Sequence, residues 1–276
     1  MGLIYSNRRT PFLDAVLVGS LRATNANGLQ LILRDGDGVT LDEAERIAQE
    51  LVRSGADALL LIPPFAEQLS GSAILPALGV PFAAIATGTP LSGISTVRID
   101  NQAAMEALTR RVIADGHRRI AYVAGPDHYS VVAARLDGFY AALQDAGLRV
   151  DDSLIVEHSA FDHASGMAAA QALLARPDRP TAILCSSDDL AAGVIAQAGQ
   201  MGLTLPHDLS VTGFDDTILA SRVWPPLTVI RQPVEDMAFR ATQCLIGALG
   251  KGGMRVSDEI FDHQLVQRAS IAPAST

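Results

Sequence analysis

Short apolar runs alternate with longer stretches of helical periodicity along the whole chain. Residues 3–5, Leu-Ile-Tyr, predict a strand that ends in the polar pair Ser6-Asn7. From Phe12 to Asn27 the apolar positions Phe12, Ala15, Val16, Leu17, Leu21 and Ala23 recur at helical spacing, and Gly28 stops the helix. A second strand is predicted over 29–33, and Thr40 with Glu43 has the form of a capping box opening a helix that ends near Gly55. A strand over 58–62 closes at Pro63-Pro64, a helix runs toward Leu78, and strands over 81–85 and 96–99 come next. The pattern continues as a helix over 101–115 stopped by Gly116, a strand over 119–124, a helix over 131–146 closed by Gly147, and an apolar segment at 154–157. Helices over 164–175, 190–201 and 234–249 alternate with strands over 181–185, 209–212 and 228–230. Residues 251–253 read as a loop and 272–276 as a frayed tail.

This alternation specifies a parallel sheet, because a parallel neighbour needs a crossover and a helix normally supplies it. The strands are too many for one comfortable open sheet. The expected fold is therefore α/β, with two doubly wound parallel-sheet lobes; a closed eight-fold barrel is the rival, since it alternates in the same way at similar length. The 276 residues suit two domains of roughly 100–150 residues each. Hydrophobic residues make up 49% of the chain and aromatic ones only 5%, so the core is aliphatic, as close-packed helices on a parallel sheet require.

Charge and cysteine content narrow the setting. No stretch approaches the ~20 apolar residues of a membrane span, and no basic segment leads into an apolar one at the N-terminus, so a cytoplasmic protein without a membrane partner is expected. Thirty acidic against 21 basic side chains give a net charge of −9. The basic clusters Arg8-Arg9, Arg110-Arg111 and Arg118-Arg119 are too short to neutralise many phosphates, so this chain alone does not bind DNA. Cys185 and Cys244, each in an apolar segment, are read as buried free thiols in a reducing compartment.

Most catalytic and metal motifs fail on inspection. A calcium loop starting at Asp35 would need Gly at 40 and Glu at 46, where Thr40 and Arg46 stand, and a dinucleotide fingerprint fails at Leu41. His158 and His163 lack the partners of a metal site, and His117, after a helix-ending glycine, is read as structural. No enzyme activity, metal or cofactor is expected. Binding chemistry is better represented. In open parallel sheets, ligands bind beyond the carboxyl ends of the strands, and those ends carry Ser6-Asn7, Gly125-Pro126-Asp127, Ser186-Ser187-Asp188-Asp189 and Gly213-Phe214-Asp215-Asp216. For Asp188 and Asp189 a helix N-cap role is an equal alternative. Asp can accept from two hydroxyls, Arg can donate to two, and an aromatic ring can cover the C–H face of a sugar. Arg135, on a helix rich in Ala and Leu, is a candidate for the cleft or else a snorkelling surface residue. Phe12 and Phe161 stand at helix starts beside polar strand ends, as site or ordinary core residues.

An ordered series of segments resembles the lactose- and galactose-repressor (LacI/GalR) family. It runs through Tyr5-Ser6-Asn7, Thr10-Pro11-Phe12, Val97-Arg98-Ile99-Asp100-Asn101, Gly116-His117-Arg118-Arg119-Ile120-Ala121 and Arg135-Leu136-Asp137-Gly138-Phe139. Ser187-Asp188-Asp189-Leu190-Ala191-Ala192-Gly193, Leu209-Ser210-Val211-Thr212-Gly213-Phe214-Asp215-Asp216, Pro225-Pro226-Leu227-Thr228 and Arg231-Gln232-Pro233 complete it. The resemblance implies periplasmic-binding-protein-like lobes of type I joined by three crossovers, 1–116 plus 232–258 and 117–231 plus 259–276. It implies a homodimer and a small-molecule effector, a sugar or sugar acid, that controls DNA binding allosterically. Ser6, Phe12, Arg135, Phe161, Ser187, Asp215 and Gln232 fall at the family's ligand-binding positions. Ser187 stands where the family usually has Asn, and Arg8-Arg9 replaces a neutral stretch, which points to an anionic effector. Operator DNA would be met only through an N-terminal helix-turn-helix absent from this chain. An exported sugar-binding transport protein and an α/β enzyme are the alternatives.

Overall fold

Alternating strands and helices form two six-stranded sheets, one in each of two units. The computed structural model describes residues 1–6, 10–37, 40–249 and 255–274; Arg8-Arg9, the expected loop at 251–253 and the last two residues of the tail lie outside them. Unit 1 comprises Met1–Ile99, Tyr129–Val131 and Pro233–Asp262; unit 2 comprises Asp100–His128, Val132–Gln232 and His263–Thr276. The chain passes from one unit to the other after 99, after 232 and after 262, giving the three crossovers, with a brief excursion at 129–131.

Unit 1 contains β1 (Gly2–Ser6), α1 (Pro11–Ala26), β2 (Ile32–Gly36), α2 (Leu41–Arg53), β3 (Leu59–Leu61), α3 (Phe65–Leu69), α4 (Ile74–Leu78), β4 (Phe82–Ile85) and β5 (Ser95–Ile99). Its sheet has the order β11-β5-β4-β3-β1-β2, all neighbours parallel, with β11 being Asp258–Phe261. Leu59 and Leu61 join Ile4, Phe82 and Ala84 beneath Ala44, Ile47, Ala48 and Leu51 of α2. The pleat turns Leu60 to the opposite face. There α10 (Val234–Ala248) lies against β3, β4 and β5 and is paired with α1. Thr40 caps α2, its hydroxyl accepting from Glu43 N at 3.3 Å, while the Glu43 carboxylate accepts from Asp37 N at 3.0 Å. The backbone at Asp37 is thereby tied to the first turn of α2.

Unit 2 contains α5 (Asn101–Ala114), β6 (Ile120–Ala124), most of α6 (Ser130–Asp145), β7 (Ile155–Glu157), α7 (His163–Leu174), β8 (Ala182–Cys185), α8 (Asp188–Gln200), β9 (Ser210–Asp215), α9 (Ile218–Arg222) and β10 (Thr228–Arg231). With β12 (Gln264–Val266) they give the order β12-β10-β9-β8-β6-β7; only β12 runs antiparallel. These are two open sheets, not a closed barrel. Ala121, Val123, Ile183, Cys185, Val211 and Val229 pack beneath α7 and α8. On the other face Tyr122 stacks on Phe139 of α6 at 5.2 Å between centroids.

Three expectations need adjusting. The lobe boundary was placed after 116, but α5 belongs to unit 2 because it packs on β10 and β12, and the α6 backbone at Gly138 meets the Gln102 carbonyl. Gln232 likewise closes unit 2, and unit 1 extends to Asp262 so as to include β11. Cys185 is buried as expected, but Cys244 on α10 is only half-buried; both thiols are free. His117 is structural. Its Nε2 donates to the Ala272 carbonyl at 3.0 Å, which leaves Nδ1 to accept from Thr181 Oγ1 at 2.9 Å, and burial lowers its pKa.

Candidate functional site

Three neighbouring strands of unit 2, β10, β9 and β8, present polar residues at their carboxyl ends, and these gather around one buried arginine. Arg135 projects from α6 and is 4% exposed, so it does not snorkel. Its Nε donates to Asn101 Oδ1 at 2.9 Å and its Nη1 to the Ser186 carbonyl at 2.5 Å. The guanidinium carbon stands 3.7 Å from the centroid of the Phe214 ring, and Nη2 lies 3.7 Å from Asp215 Oδ1. A guanidinium buried this deeply requires such partners, because an unpaired charge in the interior is costly. Two of its five N–H groups are committed to hydrogen bonds within the protein.

Asp215 ends β9 with φ +106°, and Asp216 comes next at φ +59°. Two successive non-glycine residues in the left-handed region mark a turn held by its surroundings. The Asp216 carboxylate is clamped by Arg231 Nε and Arg268 Nη2, both at 2.6 Å. From the other side Asp188 Oδ2 accepts from Thr217 N at 2.7 Å and Thr217 Oγ1 at 2.9 Å. The turn thereby aims the Asp215 side chain, which is 13% exposed, at Arg135. Gln232 Nε2 donates to Asp215 Oδ1, while the buried Gln232 Oε1 has no hydrogen-bond partner among the described residues. Burial pushes the Asp215 carboxyl up to about 6, against the stabilising pull of Arg135 and Gln232. The Asp188 carboxyl is raised well above its ordinary range by burial and by the neighbouring Asp215.

The structure separates the roles of the strand-end residues. Ser187 is the N-cap of α8, its hydroxyl accepting from Leu190 N at 3.3 Å. Asp188 is neither the cap nor an exposed contact; it is fully buried and ties down the turn after β9. Phe161 lies over Gly125 at the end of β6, its ring occupying the place a Cβ would take, so only glycine leaves room for it. Arg135, Asp215 and Gln232 thus form one cluster, with Ser187 beside it and Phe161 two strands along the same edge. Ser6 ends β1 and Phe12 lies in the first turn of α1; both are half-buried residues of unit 1. Asn101, Phe214 and Ser186 stand in segments that the sequence picked out but received no site role there, yet they fix Arg135.

Gly213 links the site to its foundation. A Cβ there would overlap Asp188 Oδ1. Gly213→Ala should displace the carboxylate from Thr217 and lower the unfolding free energy in urea by about 1–3 kcal/mol. An unchanged urea midpoint would show that Asp188 moves aside freely.

Among the described residues no helix is long and apolar enough to cross a membrane, and no three His, Cys, Asp or Glu side chains are placed to hold a metal ion. The periplasmic binding protein-like domain family matches residues 109–271. The HTH-type transcriptional repressor CytR of Escherichia coli strain K12 is 31% identical over 264 residues, which cover 94% of this chain and 75% of that protein. The chain belongs to the LacI/GalR family. The HTH-type transcriptional regulator MalR of Streptomyces coelicolor is 36% identical over 203 residues, 72% of this chain and 58% of MalR. This LacI/GalR chain therefore spans little more than half the length of that relative. Among solved structures, a CelR–cellobiose complex superposes with TM-score 0.86 at 28% identity, covering 98% of this chain and 83% of that one. A LacI family regulator from Mycobacterium smegmatis gives 0.82 at 27%, covering 99% of both. The relatives are transcription regulators, and the two-sheet architecture is that of the family.

Proposed function

We propose that the Arg135–Asp215 cluster reads a sugar or sugar-like effector, and that the whole protein is a transcription regulator whose operator binding depends on that effector. One observation carries this reading: a fully buried arginine and a nearly buried aspartate stand 3.7 Å apart, too far for a closed hydrogen bond, with donor and acceptor capacity left over. Adjacent hydroxyls of a polyol would complete it, one accepting from the guanidinium and one donating to the carboxylate. Phe161 supplies an apolar surface farther along the same sheet edge, and Ser187 a polar one. Ser6 and Phe12 are assigned to the effector on the family resemblance alone. Effector binding would shift the population of two states that differ in affinity for it, and operator contact would be made through an N-terminal helix-turn-helix, as the names of the HTH-type relatives indicate.

A thermal-shift screen over sugars, sugar acids and nucleosides tests the proposal. A ligand at 100 times its Kd adds about 2.7 kcal/mol to the native state, a readily measured rise in Tm. No shift across the screen would refute the effector reading. The protein acts in the cytoplasm as a binder rather than a catalyst on this view, so bound sugars should be recovered unchanged.

The partner is a second copy of the chain. Trp224 is 83% exposed and Ile218 of α9 is 56% exposed, two large apolar side chains that water disfavours and that interfaces prefer. Trp224→Glu should convert a dimer to a monomer in sedimentation velocity at micromolar concentration. A wild-type protein that remains monomeric at every concentration would instead favour a transport role.

A further inference from the structure

Resting on the effector reading above, we infer that Asn101 and Gln232 are positioning residues through which a bound effector steadies the first two crossovers of the chain. The grounds are two hydrogen-bonded half-chains within unit 2 that stop short of each other. One runs from Asn101, whose Oδ1 accepts from Arg135 Nε at 2.9 Å, to the guanidinium. The other runs from Gln232 to Asp215. The Gln232 side chain donates through Nε2 to Asp215 Oδ1, and its backbone N donates to the Asp215 carbonyl at 3.2 Å. Between the two half-chains lies the 3.7 Å separation of Arg135 Nη2 from Asp215 Oδ1.

The outer end of each half-chain falls at a crossover. The chain leaves unit 1 after Ile99, so Asn101 is the second residue of unit 2 and the first of α5. Gln232 is the last residue before the chain returns to unit 1 at Pro233. Both side chains are buried. Helix capping does not account for either of them. Asp100 caps α5, its Oδ1 accepting from Ala103 N at 2.9 Å, and Pro233 stands at the N-cap of α10. What the two amides grip instead is the pair of charged residues assigned to the effector.

A diol whose one hydroxyl accepts from Nη2 and whose neighbour donates to Asp215 would close the 3.7 Å gap. The bonds would then run unbroken from Asn101 to Gln232, and joined hydrogen bonds strengthen one another. The crossover backbone at each end should open less often, a gain in local stability at two places 131 residues apart in sequence. Asn101 touches no effector in this scheme. It acts through Arg135.

Amide hydrogen exchange of the whole chain tests the inference, with cellobiose, maltose, ribose and cytidine as probes and calorimetry to show which of them bind. A saturating bound probe should slow exchange about tenfold, equivalent to about 1.4 kcal/mol, in peptides spanning 98–104 and 230–237. Asn101→Ala should lose the slowing over 98–104 and keep it over 230–237, and Gln232→Leu should do the reverse. Asn101→Asp retains an acceptor for Arg135 and should restore the slowing over 98–104. A merely structural role for Asn101 would raise exchange equally with and without probe, and that result overturns the inference. So does a bound probe that leaves both wild-type peptides exchanging as before, a measurement that needs no variant to fold; in either case the effector reading survives. Failure of every probe to bind overturns the effector reading itself, and this inference falls with it.

Discussion

Arg135→Ala is expected to lower effector affinity by two orders of magnitude or more. Hydrogen bonds to a charged group contribute about 1.5–3 kcal/mol each, so losing the guanidinium bond to the effector together with the bond to the Asp215 carboxylate that Arg135 positions amounts to a factor of roughly 150 to 25,000. The substitution also acts on the free protein. It strips the Asn101 amide oxygen and the Ser186 carbonyl of their donor and leaves Asp215 without its counter-ion. Removing one partner of a buried ionic pair typically costs about 3–5 kcal/mol. Here the lower end is expected, because a carboxyl already raised to about 6 can answer by taking up a proton. Arg135→Lys separates the two effects. An ammonium keeps the charge but has neither the planar face that covers Phe214 nor the fork that reaches Asn101 and Ser186 together. Stability should be largely recovered and affinity should not. Calorimetry with the sugar found in the screen, alongside urea unfolding of each variant, reads both. Binding within threefold of wild type for Arg135→Ala would remove this residue from the site.

The architecture was legible wherever side-chain pattern and burial coincide. The strands buried on both faces, such as β3 with its three leucines and β8, are unbroken apolar runs, and parallel pairing results from the helices between them. Edge strands were not legible. β2 was placed over 29–33 but occupies Ile32–Gly36, because an edge strand can leave Arg34 and Asp35 in solvent and need not coincide with the apolar run. β11 and β12, also at sheet edges, are short and partly polar, and their pairing is set by strands distant in sequence. The helix expected toward Leu78 is two short ones, α3 and α4, separated by a turn at Gly71 with φ +78°. The lobe boundary after 116 failed for a related reason. Nothing in the local pattern of 101–114 says which sheet that helix covers.

The site divides in the same way. Its polar residues could be found at the carboxyl end of each strand, since the sheet brings those positions together. Their roles could not. Ser187 and Asp188 are adjacent in sequence, yet one caps a helix and the other anchors the turn after β9, a distinction made by Thr217 and Gly213 in three dimensions. Asn101 was even less accessible. It precedes Arg135 by 34 residues, and only the close approach of α5 and α6 lets its amide meet the guanidinium.

The same burial that aims Asp215 at Arg135 should give the protein two opposite pH dependences. The folded carboxyl titrates at about 6, above the ordinary 3.8, so the free native state holds this proton more tightly than the unfolded chain does. Its contribution to stability is therefore greatest below about pH 4, declines as pH rises toward 6, and is level above that; the difference is about 3 kcal/mol. Effector affinity runs the other way. The ionised carboxylate is the stronger acceptor for the effector hydroxyl and the protonated acid loses that charge, so affinity should be flat above pH 7 and fall by up to about tenfold per pH unit below 6. The groups that set this midpoint are Arg135 and Gln232, which favour the ionised form, and Asp189, which opposes it. Asp188 is raised as well and shifts stability in the same direction, so Asp215→Asn is needed to isolate one carboxyl. The attraction of Arg135 is already contained in the value of about 6, and the amide resembles the protonated acid. Asp215→Asn should consequently be more stable than wild type by about 1–3 kcal/mol in urea at pH 7.5, lose that advantage by pH 4, and bind the effector weakly at every pH. A wild-type affinity that stays constant from pH 7.5 to 5 would show that the carboxylate is not what the effector meets.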